Sequence, residues 1–220
     1  MKVSLVSSSE PSKKLIEQGI VNAQELVAYC ARVSNPANQT NTETSEKLIR
    51  YLIKHSHWSP MEMVSACLEI ETTRDIARQI LRHRSFSFQE FSQRYAVADL
   101  GFEYKEARLQ DTKNRQNSIE TNDTELQSEW ERRQSNLAND AADAYQWALD
   151  NGIAKEQARA VLPEGITTSR LYMQGTLRSW LHYIQLRSGP ETQKEHREVA
   201  IACAKALESI FPMITEFLVK

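Results

Sequence analysis

Apolar and polar residues alternate with a period of two across residues 63–71, MVSACLEIE, which puts Val64, Ala66, Leu68 and Ile70 on one face. That alternation predicts a strand buried on one side. Residues 2–8, KVSLVSS, read as a short first strand, and residues 166–175 as another. Elsewhere the period lengthens toward 3.6. Residues 44–55 carry Leu48, Ile49, Leu52 and Ile53 on one face behind Thr44 as a cap. After Thr72 or Thr73 as N-cap, the stretch RDIARQILRHR predicts a helix reaching Arg84, with Ile76, Ala77, Ile80 and Leu81 inward. Residues 126–149 repeat Leu126, Trp130, Arg133, Leu137, Ala141, Ala144 and Ala148 at threes and fours. Asn151-Gly152 ends that helix, because both residues tolerate the left-handed cap position.

A short helix over 153–161 stops before Pro163, and another covers 177–187. Thr192 and Glu195 have capping-box spacing, opening a last long helix whose inward face is Val199, Cys203, Ala206, Leu207 and Ile210. Pro212 breaks it or starts a final short helix. Residues 99–125 are polar and irregular and read as a solvated excursion. Helices and strands do not alternate regularly. The expected fold is therefore α+β: a mostly helical single domain spanning 1–220, with a small, largely antiparallel sheet.

Composition narrows the function. The 220 residues are 40 % hydrophobic, enough for one sizeable core, and the six glycines and six prolines argue against a low-complexity chain. The formal charge of −2 gives no general attraction to nucleic acid or acidic membrane, so any anion site is built locally from arginines. Cys30, Cys67 and Cys203 form no C-x-x-C pair, and the odd number suggests reduced thiols in the cytoplasm. The opening MKVSLVSSSEPSKK lacks the apolar stretch of a signal peptide, and no 18-residue apolar run is present to span a membrane.

The stretch richest in chemistry is Arg82-His83-Arg84, then SFSFQEF, then Ser92-Gln93-Arg94-Tyr95. Continued as a helix, it gathers Gln79, Arg82 and His83 on the flank of the apolar face and turns Arg84 onto that face. Buried polar groups need partners, and a bound anion supplies one. Glu90, Ser92 and Arg94 alternate and, if extended, face one way. A hydroxyl, a guanidinium and backbone N–H groups suit a phosphate. Glu90 repels one and fits sugar hydroxyls or a ring N–H instead. The competing reading of the basic triplet is a solvated helix end that complements the dipole. By themselves, Arg159, Arg178 and Arg187 read as surface arginines.

Arg82-His83-Arg84, seven residues and Ser92 resemble the R-H-R-x7-S signature of flavin-dependent thymidylate synthases, continuing as S-x-R-Y. Ala31-Arg32-Val33-Ser34 is similar to the family's A-R-V-S, and His57-Trp58-Ser59-Pro60-Met61-Glu62 to its H-x-[ST]-P-x-E. Arg159 in ARAVLP, then Leu186-Arg187 followed by Gln193 and Glu195, resemble its later motifs. Glu191, Thr176 and Lys194 stand where the family usually has His, Asn and an aromatic. The resemblance covers about residues 28–95 and 156–198.

This resemblance implies a homotetramer with sites between subunits, and FAD, dUMP, methylene-tetrahydrofolate and NADPH as ligands. It implies flavin contacts from Ser34, Ser59, Arg82, His83, Arg84, Glu90, Arg178 and His182. It implies dUMP contacts from Gln79, Arg82, Glu90, Ser92, Gln93, Arg94 and Arg159, with Arg187 facing the uracil ring. Guanidinium stays protonated, so Arg187 stabilises negative charge on the pyrimidine and is no base.

His55 and His57 lack a third ligand nearby, so no metal is expected. His196 reads as a surface or core-edge residue, and Trp130, Tyr145 and Trp147 as core or subunit packing. The rival function is a nucleic-acid module, in which Phe86, Phe88, Phe91 and Tyr95 between basic residues stack bases. The −2 charge opposes it, and a purified flavoenzyme is yellow where such a module is not.

Overall fold

The computed structural model describes residues 1–219. In chain order the strands are β1 (Lys2–Ser8), β2 (Ser65–Thr73), β3 (Ser87–Glu90), β4 (Arg108–Gln110), β5 (Ser118–Glu120) and β6 (Thr168–Thr176). The helices are α1 (Lys13–Glu17), α2 (Ala23–Ala31), α3 (Ser45–Lys54), α4 (Arg74–Ile80), α5 (Thr124–Asp150), α6 (Lys155–Ala158), α7 (Leu177–Arg187) and α8 (Lys194–Leu207). The architecture is α+β and mostly helical, with a four-stranded sheet of order β1-β2-β6-β3 in which every pairing is antiparallel.

The two central strands explain the sheet. β2 and β6 pair over their full length, from Ser65 opposite Thr176 to Thr73 opposite Thr168. Period two sends Ala66, Leu68 and Ile70 of β2, and Leu171 and Met173 of β6, into one core. The opposite face carries the polar pairs Glu71 with Arg170 and Glu69 with Tyr172. Helices α7 and α8 cover the buried face, and Trp180 of α7 is fully buried with its indole N–H donating to the Ala66 carbonyl at 3.1 Å. That bond satisfies the one polar atom of the largest core side chain.

Several expected boundaries shift. The strand expected over 63–71 runs 65–73, because Ser59–Met63 winds into a 3-10 turn led by Pro60. The helix expected to reach Arg84 ends at Ile80, and residues 81–86 form turns that feed β3. The cause is non-local: Phe86 must reach the core, where it lies on Gly175 and meets Trp180 edge-on at 4.8 Å. Thr73 and Thr44 occupy cap positions but bond no helix amide. The capping box at Thr192 does not form either. Its hydroxyl donates to the Leu186 carbonyl, and α8 begins two residues later.

Helix α5 is capped by Asp123, whose Oδ1 accepts from the Leu126 amide, and Gly152 beyond its end takes the left-handed φ of +76°. Its buried face is Gln134, Ala138, Ala141, Tyr145 and Ala148. Of the expected stripe, Ala141 and Ala148 are buried, whereas Leu126, Trp130 and Leu137 are exposed, as is Trp147. The polar excursion at 99–125 contains the β4–β5 hairpin. Lys194 pins that hairpin to α8 through Glu106 at 2.7 Å and Glu120 at 2.6 Å.

A Cβ on Gly175 would fall within the ring of Phe86. Gly175→Ala is therefore expected to lower unfolding free energy by about 1–3 kcal/mol. Urea denaturation measures this, and an unchanged midpoint would show that Phe86 does not need the bare backbone.

Candidate functional site

The turn after α4 projects its basic residues in two directions. Arg82 and Arg84 are exposed and make no ion pair among the described residues. Arg84 thus points to solvent, contrary to its expected place on the apolar side, because the helix stops before reaching it. His83 turns inward, packs edge-on against Tyr183 at 4.9 Å, and receives the Arg187 Nε–H on its Nε2 at 2.9 Å. Arginine only donates, so His83 accepts through Nε2 and carries its proton on Nδ1. Burial, then the charges of Arg187 and Arg82, lower the His83 pKa to about 4. A neutral imidazole is what this geometry requires.

Beside this pair lies a chain of polar groups that runs from the buried Tyr183 and His196 through the half-buried Gln79 to the exposed Gln193 and on to the half-buried Glu195. Tyr183 OH meets His196 Nε2 at 3.1 Å, and His196 Nδ1 meets Gln79 Oε1 at 3.2 Å. Gln79 Nε2 donates to Gln193 Oε1 at 2.8 Å, and Gln193 Nε2 donates to Glu195 Oε2 at 2.9 Å. Arg108 of β4 closes the chain with two bonds to the Glu195 carboxylate, at 2.6 and 2.9 Å. His196, expected at the surface or core edge, is 0 % exposed. The sequence did hold a signal: stepping back from Leu207, Cys203 and Val199 at helical spacing reaches position 196. Burial first, then Arg187 and His83, lower the His196 pKa to about 3.

A second group lies at the end of β3. Glu90 accepts from the Ser169 hydroxyl at 3.0 Å and lies 3.7 Å from Arg74, which is itself buried. Sequence reasoning did not find Arg74 or Ser169. A cavity of about 420 Å³ is lined here by Glu90, Phe91, Ser92, Tyr95, Arg170 and Tyr172. Glu90, Ser92 and Arg94 do not share one extended face. The strand ends at Glu90, and the Ser92 carbonyl accepts from the Tyr95 and Ala96 amides as the chain turns. Ser92 and Arg94 are exposed, whereas Gln93 is buried. Arg94 and Arg159 meet around one residue: Arg94 lies 3.7 Å from the Glu156 carboxylate, and Arg159 Nε donates to the Glu156 carbonyl.

The third group sits between α2 and α7. Arg178 pairs with Glu62, and His182 stacks edge-on to Trp58 at 4.4 Å. Ser59 lines a cavity of about 480 Å³ with Tyr29, Cys30, Val33, Pro60 and Met63, and Ser34 is exposed one residue beyond Val33. Thr176 caps α7 by accepting the Ser179 amide, so its departure from the family pattern keeps a structural use. Burial raises the pKa of Cys30, Cys67 and Cys203 alike, which disfavours a thiolate at each. The Ser92 hydroxyl has no hydrogen-bonded base among the described residues. No group of three His, Cys, Asp or Glu is placed to hold a metal, and no helix is long and apolar enough to cross a membrane, among the described residues.

Among the described residues, an antiparallel sheet backed by helices carries arginines without ion-pair partners and thiols that burial keeps protonated. Residues 14–213 match the family model described as thymidylate synthase complementing protein. The chain belongs to this family and is an enzyme of the flavin-dependent thymidylate synthase type. It is 46 % identical over 218 residues to a probable flavin-dependent thymidylate synthase of Paramecium bursaria Chlorella virus 1, covering 99 % of each chain. It is 47 % identical over 214 residues to the flavin-dependent thymidylate synthase of Synechocystis sp., covering 97 % of each. Among solved structures it resembles a UMP/dUMP methylase from Streptomyces cacaoi bound with 5-Br dUMP. That likeness has a TM-score of 0.81 at 28 % identity and covers 98 % of this chain and 93 % of the other.

The two neutral histidines set an acid limit on the fold. Unfolding returns each to a pKa near about 6.5, so between that value and about 4 the unfolded chain binds more protons than the folded one. Stability accordingly rises with pH across this window and is lost as pH falls through it. The urea midpoint is expected to drop from about pH 7 to about 5.5, and His196→Leu is expected to flatten that slope. An unchanged slope in the variant would overturn the assignment.

Proposed function

We propose that the chain methylates dUMP to dTMP, taking carbon from methylene-tetrahydrofolate and hydride from FAD reduced by NADPH. The observation that carries this reading is the Arg187–His83 bond. Among the described residues the guanidinium is held by Nε alone, which leaves the two terminal nitrogens to face a ring. Arg187 has no carboxylate partner among the described residues, so its charge is available. Placed against uracil, it stabilises the negative charge that develops as N3 ionises and electron density reaches the carbon to be methylated. Such activation needs no enzyme nucleophile, in keeping with the protonated thiols.

The residues fit a flavin dinucleotide. Among the described residues Arg82 and Arg84 are exposed cations without acidic partners, and the neutral His83 keeps Nδ1–H as a donor. With Ser34, Ser59, Glu90, Arg178 and His182, they would hold its phosphates, sugars and ring system. When bound, FAD supplies the hydride chemistry. Gln79, Arg82, Glu90, Ser92, Gln93, Arg94, Arg159 and Arg187 would hold dUMP. The Ser92 hydroxyl and the Arg94–Arg159 pair supply donors for the phosphate, and Glu90 accepts from a sugar or ring N–H. The Streptomyces methylase bound with 5-Br dUMP supports a uridylate as substrate.

The same reading takes the chain as a single domain, assembled in the cytoplasm as a homotetramer with sites between subunits. The exposed Trp130, Leu137 and Trp147 of α5 and Leu186 of α7 support further association. A nucleic-acid surface is disfavoured, because Phe86 is buried and Phe88 and Phe91 are half-buried, leaving only Tyr95 of the four aromatics open for stacking.

Anaerobic incubation with dUMP, methylene-tetrahydrofolate and NADPH is expected to yield dTMP from a yellow protein. A colourless protein that takes up no FAD would overturn the reading. Arg187→Ala is expected to retain flavin while turnover falls by roughly 10²–10³-fold. Methylation at a near wild-type rate would remove Arg187 from the chemistry.

A further inference from the structure

The polar chain around Gln79 has a direction, and the direction has a source. An ionised carboxylate accepts and never donates. Glu195, held by two bonds from Arg108, therefore requires the Nε2 side of Gln193 to face it. That leaves Gln193 Oε1 toward Gln79, which must answer with its own Nε2. Gln79 Oε1 is then turned to His196, whose Nδ1 must carry the proton, and the bare Nε2 of His196 receives the Tyr183 hydroxyl proton. Each amide and imidazole has one satisfied orientation. Reversing Gln79 or His196 would oppose two donors or two acceptors where His196 is 0 % exposed, whereas Gln193, which is exposed, takes its orientation from the Glu195 carboxylate.

We propose that Glu195 and His196 are positioning residues that fix the amide of Gln79 in one orientation, so that its second Nε2–H is presented as a donor to an acceptor oxygen of the bound nucleotide. The inference rests on the reading of Gln79 as a dUMP contact and extends it to residues that touch no ligand. Freed from the relay, a glutamine amide offers its carbonyl about as readily as its N–H, and a carbonyl repels the oxygens of phosphate or pyrimidine alike. Arg108 anchors the relay from β4, inside the polar stretch at 99–125. The hairpin thereby reaches the nucleotide site through Glu195 without lining it.

Glu195→Gln tests this with little change in shape, since the new amide can face Gln193 either way and the source of direction is lost. The KM for dUMP is expected to rise about tenfold, the effect of one misdirected hydrogen bond, while kcat at saturating dUMP and the flavin spectrum stay close to wild type. The effect must also be absent where Gln79 is absent: Gln79→Ala raises KM, and Gln79→Ala with Glu195→Gln raises it no further. His196→Leu, which leaves Gln79 Oε1 without its donor, is expected to show the same coupling. It keeps the test open if Glu195→Gln fails to fold. If Gln79→Ala raises KM but neither partner variant does, or if the effects multiply in the double variants, the positioning role is overturned and the dUMP contact survives. If Gln79→Ala itself leaves KM unchanged, the contact fails, and the positioning role falls with it.

Discussion

Phe86 resting on the bare backbone of Gly175 decides where the preceding helix ends and therefore what its last residues can do. The ring is drawn into the core against Trp180, and the chain has to leave α4 early enough to let it in. Everything basic in the signature then sits on a turn and not on a helix. Arg82 and Arg84 stay hydrated, which avoids the cost of burying a charge, and only the neutral His83 goes inside. The same turn brings His83 to Arg187 on α7, a residue 104 positions away in sequence. One aromatic–glycine contact thus separates two environments, cations exposed on the turn and a cation held inward by His83.

Strands β1, β2 and β6 were legible because their signal is local, whereas the four-residue β3 was not. β2 and β6 bury one face, and the period of two survives in the residue order with limits wrong by only one or two positions. The same holds for α7, whose limits match those read from the sequence. The α4 terminus was misread because apolar spacing continues through Leu81, and nothing in the segment reveals that Phe86 has an appointment with a strand 89 residues later. In α5 the buried face is built mainly of alanines, at 138, 141 and 148, with Tyr145 and Gln134. The larger Leu126, Trp130 and Leu137 draw the eye to the face that this chain leaves uncovered. Thr192 shows the limit of short motifs: its spacing from Glu195 is right, but its hydroxyl goes to the Leu186 carbonyl and Glu195 to Arg108.

The motifs at the candidate site were read through family likeness more than through geometry, and the structure sorts them. His83 with Arg187, and Arg94 with Arg159 through Glu156, are brought together. Arg178 and Glu62 pair on the other side of α7 from Tyr183, a relay member, and from Arg187. Arg74, Ser169, Tyr183, His196 and Arg108 had no motif to announce them, since each acts on a neighbour that is remote in sequence. Packing partners of that kind leave only a burial period behind, and at His196 even that trace was overridden by the usual preference of histidine for partly wet positions.

The hairpin of β4 and β5 has little apolar surface holding it down. Leu109 and Ile119 are exposed, and the attachment to α8 runs through Lys194 with Glu106 and Glu120 and through Arg108 with Glu195. Two of these links are largely open to water and weaken as ions accumulate around them, whereas the sheet, closed by backbone bonds and hydrocarbon, is indifferent. Ionic strength is therefore a selective lever on this molecule: it loosens one flap while leaving the scaffold intact, and the flap's inner edge is the guanidinium that steadies Glu195.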